Sequence, residues 1–276
     1  SELLKPFIYE ITRIQFDQRP IFDSQHGIHL FATHRLFDSN VIRLINNFLG
    51  AKYAHIQNIR AIDVAFDEMR SEIFVLGKHS YKDYFVQVYD FNGNKIRTID
   101  KIDQDNIDLN APCGICVNSQ LGWLLIAENH RVLIIDYVNN TLVRSFGSFD
   151  NGSRGKFWVP TGVAMHTQKC PFRGTVAHRI FVCDQWNHCV QVFNEEGAFL
   201  FQFGSEGSDA GQLSHPCHLA IDSVAEEVYV TESENHRVSV FSTSGRKVSG
   251  VSSPRVGWFQ RIRPSKPTMR PVMASS

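Results

Sequence analysis

The chain repeats itself. The segment Pro160-Thr161-Gly162-Val163-Ala164-Met165-His166 recurs as Pro112-Cys113-Gly114-Ile115-Cys116-Val117-Asn118 and as Pro216-Cys217-His218-Leu219-Ala220-Ile221-Asp222. A weaker copy is Ala61-Ile62-Asp63-Val64-Ala65-Phe66-Asp67, and the starts at 61, 112, 160 and 216 lie 51, 48 and 56 residues apart. A repeat of this period is one supersecondary unit stacked on copies of itself, because a single unit cannot bury its own apolar faces.

Each unit reads as four short strands. Downstream of each start sits a β-branched or aromatic run: Ile73 to Leu76, Leu124 to Ala127, Ile180 to Cys183, and Val228 to Thr231. Such runs are too short for helices and have strand composition. A third strand follows Asn129-His130, Asn187-His188 and Asn235-His236. A fourth follows the turns Val138-Asn139-Asn140 and Asn194-Glu195-Glu196-Gly197 and closes on Phe146-Gly147 or Phe203-Gly204. No segment longer than about ten residues has helical periodicity. The expectation is an all-β chain of four-stranded antiparallel blades. One more unit is placed near Pro20, with Ile28 to Thr33 and Asn40 to Asn46 as its second and third strands, making five in all.

Composition narrows the class. Hydrophobic residues form 43% of the 276, including 21 Phe and 7 Tyr, which is enough for a packed core. Basic and acidic side chains balance at 28 each, so no bulk field favours nucleic acid or a membrane surface. No apolar run approaches the roughly 18 residues needed to span a bilayer, and Ser1 to Lys5 lacks a signal-peptide layout. The six cysteines are therefore expected to be reduced thiols in a cytoplasmic protein.

The pattern of Pro-x-Gly-Val-Ala, an acidic turn, Asn-His-Arg and a closing Phe-Gly resembles the NHL repeat. The steps Asn129-His130, Asn187-His188 and Asn235-His236 carry the resemblance, as do the linkers Gly155-Lys156-Phe157 and Gly211-Gln212-Leu213. It covers about residues 20 to 250 and is strongest in the last three units. The resemblance implies a β-propeller, usually six-bladed, that serves as an interaction platform. Intracellular members form the C-terminal domain of TRIM-type ubiquitin ligases and bind proteins or short RNA elements. The expected organisation is an N-terminal segment, 1–19, whose residues 7–16 are a candidate ring-closing strand, then a propeller over 20–250, then a disordered or truncated tail over 251–276. Five clear blades plus an incomplete sixth are expected, because Arg246 to Gly250 lacks the Phe-Gly ending. Pro264, Pro267 and Pro271 also cannot donate to a sheet interior.

The chemistry-bearing residues point away from catalysis. An Asn-His pair at the same place in every blade is expected to be a structural device, since a site is needed once. Cys113-x-x-Cys116 has no second pair to complete a tetrahedral zinc set. The NHL-fold amidating lyases hold a channel zinc with histidines, and His218 and His166 are placed on first strands at comparable depth. The acidic ligands and base that such a lyase needs are not found beside them. No nucleophile triad or phosphate loop is present. No catalytic residue, metal, cofactor, membrane contact or small-molecule substrate is expected.

A propeller binds through the loops between second and third strands and between blades. The first set carries Lys78, His79, Tyr81, Lys82 and Asp83, then Glu128, then Asp184, Gln185 and Trp186, then Glu232, Ser233 and Glu234. The second carries Lys101, Asp103, Asp105 and Asp108, then Phe149, Asp150, Arg154, Lys156 and Trp158, then Glu206 and Asp209. Five cations against eleven carboxylates give about −6, which favours a protein or peptide partner over RNA. The candidate partner-binding residues are Tyr81, Lys82, Phe149, Arg154, Trp158, Asp184, Trp186, Glu232 and Glu234, with Trp186 as the anchor.

Overall fold

The computed structural model describes residues 60–80, 82–102, 107–169 and 176–248. Within them the repeat becomes four antiparallel sheets. The first runs in the order β1 (Arg60–Asp67), β2 (Glu72–Ser80), β3 (Asp83–Asp90), β4 (Lys95–Ile99). A two-stranded ribbon, β5 (Lys101–Ile102) with β6 (Ile107–Asp108), precedes the second sheet. That sheet is β7 (Pro112–Asn118), β8 (Trp123–Glu128), β9 (Arg131–Asp136) and β10 (Thr141–Phe146). The third is β11 (Pro160–Lys169), β12 (Val176–Asp184), β13 (Cys189–Asn194) and β14 (Phe199–Phe203). The fourth is β15 (Pro216–Asp222), β16 (Glu227–Glu232) and β17 (Arg237–Ser242). Lys247 bridges to Phe241 at its outer edge, where the sequence places a fourth strand.

All four units expected from Ala61 onward are therefore present, and the chain is an all-β propeller. The unit near Pro20, the strand over 7–16 and the tail over 251–276 lie outside the described residues.

The hairpins form for one repeated reason. Asp67 Oδ1 accepts the N–H groups of Met69 and Arg70, Asn118 Oδ1 those of Gln120 and Leu121, and Asp222 Oδ1 those of Val224 and Ala225. An Asx side chain at the end of each of these first strands supplies the turn with its acceptor.

Middle strands are apolar on both faces because each sheet is packed from both sides. In β8, Leu124 and Ile126 join Phe74, Leu76 and Val86 of the first blade. Their neighbours Leu125 and Ala127 join Phe157, Val163 and Ile180 of the third. Phe181 and Cys183 then meet Val228, Val230 and Phe241 of the fourth. The core is thus a series of layers between blades.

First strands β1, β7, β11 and β15 stand side by side at the inner edge. Their spacing explains the glycine of the repeat. A Cβ on Gly114 would lie 2.1 Å from the Thr161 carbonyl oxygen, and one on Gly162 would lie 2.7 Å from His218 Cα. Both obstacles are backbone and cannot swing aside.

Gly114→Ala is therefore expected to cost about 1–3 kcal/mol or more through forced separation of two inner strands. The check is a lowered urea midpoint relative to the unaltered chain.

Candidate functional site

In the second, third and fourth described sheets the loop face is held by one buried carboxylate each. Glu128, Asp184 and Glu232 each end a second strand, opposite Pro112, Pro160 and Pro216 in register. Glu128 Oε2 accepts the Asn110 N–H at 2.7 Å, Asp184 Oδ1 the Trp158 N–H at 2.8 Å, and Glu232 Oε2 the Ser214 N–H at 2.8 Å. Each donor lies two residues before its proline. The other carboxylate lone pairs are also taken. Arg131 donates to Glu128, Asn187 and Gln191 donate to Asp184, and Arg237, Asn235 and Ser239 donate to Glu232. Burial pushes the carboxyls of Glu128 and Asp184 above the ordinary carboxylate range, against the pull of these donors.

Two candidate binding residues are corrected by this geometry. Asp184 and Glu232 are 0% and 4% exposed, so neither is a surface group that a partner meets. The physical reason is the N–H of the blade-joining loop, which needs an acceptor that only a side chain at this register supplies.

The Asn-His step extends the same lacing. The Asn187 and Asn235 amides donate to the carbonyls of Asp150 and Gly207 in the preceding blade-joining loops. Histidine then adopts a left-handed backbone, with φ of 67° at His130, 53° at His188 and 50° at His236. From there His130 Nδ1 accepts the Val159 N–H at 3.3 Å, and His188 Nδ1 accepts the His215 N–H at 3.2 Å. Val159 and His215 each directly precede the first strand of the next blade, so each imidazole pins one blade to its successor. Burial, with His215 nearby, lowers the pKa of His188 below the ordinary histidine value.

On this frame the remaining candidates fall into place. Trp158 is half-buried and Trp186 is 44% exposed, with ring centroids 5.6 Å apart and a 33° tilt. His215 stands edge-on to Trp186 at 5.3 Å, completing a platform of three rings. Trp186 is thus both packed on its neighbours and presented to solvent. Phe149, 59% exposed, leans on His130 at 4.8 Å. Arg154, Lys82 and Glu234 are exposed, and Tyr81 lies outside the described residues. His215 is the member that the sequence reading did not assign to the face. Its signal is its place immediately before Pro216, matching Val159 before Pro160.

The charge of the face changes once burial is known. Glu128, Asp184 and Glu232 are internal. Without those three the loop residues hold five cations and eight carboxylates, about −3.

Among the described residues the inner strands hold one acid–base pair. Asp63 Oδ2 accepts the Ile115 N–H at 2.9 Å and lies 3.8 Å from His218 Nε2. Burial raises the Asp63 carboxyl, while His218 and two backbone donors oppose that rise. His166 is not at the depth of His218, as the sequence reading had it. His218 is two residues past Pro216 and His166 six past Pro160, so they occupy opposite ends of neighbouring strands. His166 meets Ser223 there instead. Among the described residues no three metal-ligating side chains gather. Burial pushes the thiols of Cys113 and Cys116 up to about 11, so both are protonated at neutral pH. The five described cysteines form no disulfide. No helix among the described residues is long and apolar enough to cross a membrane.

Comparison with known proteins agrees with the fold. Residues 174–251 match the family DUF5128, described as a 6-bladed beta-propeller. Over 104 residues the chain is 35% identical to Protein brain tumor of Drosophila melanogaster, covering 37% of this chain and 9% of that protein. A chain in the crystal structure of a nidogen/laminin complex superposes with a TM-score of 0.50 at 18% identity, covering 69% of this chain and 64% of that one. An auxiliary nutrient binding protein from Bacteroides ovatus gives 0.47 at 17% identity, covering 65% and 47% respectively.

Two outcomes are expected. Glu232→Ala leaves Arg237 and the Ser214 N–H without their acceptor and costs about 3–5 kcal/mol, whereas Glu234→Ala, on the exposed turn, is near neutral. Denaturant midpoints of the two variants check this. The second concerns pH. A histidine with a depressed folded-state pKa contributes stability that is present above its unfolded value of about 6.5 and is lost as pH falls through the folded value. Stability is expected to decline below about pH 6.5, and His188→Asn should flatten that decline. Asparagine keeps an acceptor and tolerates the left-handed backbone.

Proposed function

We propose that the chain is a non-catalytic binding module whose loop face takes a protein or peptide partner, anchored on Trp186. The observation that carries this reading is the ring platform of Trp158, Trp186 and His215, open to solvent yet fixed by the buried Asp184 network beneath it. Large rigid aromatics on an immobile support lose little conformational entropy on binding and make good interface anchors. Phe149 and Arg154 extend the surface, and Lys82 and Glu234 lie on the neighbouring turns. The resemblance of the Asn-His units to NHL repeats supports a role as the substrate-recruiting part of a cytoplasmic TRIM-type ubiquitin ligase.

RNA is the second reading. With three of the loop carboxylates internal, the face carries about −3 where the full loop count gives −6, which repels a phosphate backbone less. The same rings would stack bases.

The test is a protein pull-down run beside a salt-dependent RNA pull-down, each with the unaltered chain and with Trp186→Ala. Protein partners retained by the former and weakened about 30-fold by the latter, with an unchanged melting temperature, support the anchor. Enriched RNA motifs whose affinity falls steeply with salt would transfer the site to RNA. Capture indifferent to Trp186→Ala removes the ring platform from the reading.

A further inference from the structure

The platform of Trp158, Trp186 and His215 is unevenly flanked. The loop over 147–159, which carries Trp158, holds Arg154 and Lys156 against Asp150, and Lys156 lies 3.7 Å from Asp150. The loops that flank His215, 204–215 and 232–236, carry Glu206, Asp209 and Glu234, all exposed. Among the described residues none of these three carboxylates has an ion-pair partner. Arg237 stands beside them, yet its guanidinium is committed to Glu232 and to the carbonyls of Ser208, Asp209 and Gln212.

Two of the three reach the platform through one intermediary each. Ser233 donates its N–H at 3.2 Å and its hydroxyl at 3.3 Å to the His215 carbonyl, and Glu234 is the next residue in the chain. Glu206 acts at His188, where its charge opposes the burial that lowers the imidazole pKa. The His188 ring in turn stands edge-on to His215 at 4.5 Å. Trp186, 44% exposed, therefore offers its ring in a field set by carboxylates that no described cation pairs. The face of an indole is itself negative and attracts a cation more strongly than the other aromatic rings do.

We propose that the partner meets this platform with an arginine of a basic peptide segment, its guanidinium stacked on Trp186 and turned toward Glu206 and Glu234, an assignment that rests on Trp186 being the anchor. An apolar side chain in that place would cover the ring but strip water from carboxylates that it cannot pair. A carboxylate or phosphate would meet like charge on the fourth-blade side. Arginine answers both features at once, because its flat cation stacks on an aromatic face and its fork matches carboxylate oxygens. Lysine supplies the charge without the plane.

The full chain is panned against a random dodecapeptide library displayed on phage and, in parallel, against a random single-stranded RNA pool. Enriched peptides are synthesised and their affinities measured as ionic strength rises. The expected result is a set of arginine-bearing peptides bound less tightly at high salt. Replacing their arginine by leucine is expected to weaken binding about tenfold. Trp186→Ala weakens it about 30-fold, and Glu206→Gln combined with Glu234→Gln about tenfold, both with an unchanged melting temperature. Glu206→Lys combined with Glu234→Lys is expected to draw acidic peptides from the same library. Peptides without basic residues that still depend on Trp186 overturn the arginine and leave the anchor standing. Binding indifferent to Trp186→Ala overturns both. Arginine peptides unmoved by the paired glutamine changes overturn the proposal, as does a library that yields no enriched peptide. Enrichment of RNA alone, lost on Trp186→Ala, overturns it in favour of base stacking on the same rings.

Discussion

A hydrogen bond from a backbone N–H to a buried carboxylate, repeated at Asn110, Trp158 and Ser214, sets the geometry of everything above it. The loop that brings the chain into each blade arrives with polar backbone and little ladder to satisfy it. An orphaned buried N–H costs about 1–3 kcal/mol, and an orphaned buried carboxylate costs more. Placing one against the other, and surrounding the carboxylate with further donors, removes both penalties together. The consequence is mechanical as well as energetic. A loop tied to the end of a core strand cannot drift, and the indoles of Trp158 and Trp186 stand on loops tied in this way.

The repeat was legible because the backbone writes it directly. Proline before an inner strand, glycine where inner strands touch and Asx at the hairpin turn are conformational requirements, and each recurs at a fixed offset. The placement of Asp184 and Glu232 was not legible in the same way. An acidic residue beside a loop reads as solvated unless its unseen partner is known, and that partner is a backbone N–H, which has no signature in sequence. The charge sum over the loops counts three internal carboxylates for the same reason. His215 escaped because its role depends on the adjacent Trp186 ring, reached through folding across 29 residues. The neighbouring Asn-His steps were read correctly as structural, since a device that appears in blade after blade answers a need that every blade shares.

The two departures inside the channel show how such a repeat absorbs change. Asp63 and His218 both stand at the repeat position that Gly114 and Gly162 hold, where inner strands approach closely. Either alone would leave a buried polar group in a site built for none. They occur in the first and fourth blades, far apart in sequence, yet their side chains lie 3.8 Å apart. An acid in one blade is matched by a base in another, and the Ile115 N–H takes up part of the remaining acceptor capacity.

That comparison gives a criterion for separating structure from function within one repeat protein. Positions that recur unchanged, such as the second-strand carboxylates, serve the fold. Positions that break the pattern and are answered by a second break, such as Asp63 and His218, still serve the fold, because the acid and the base are brought within 3.8 Å of each other. The first described blade differs from both cases. Gly77, opposite Ala61, holds the register that Glu128 holds opposite Pro112, and a glycine has no side chain to accept a loop N–H.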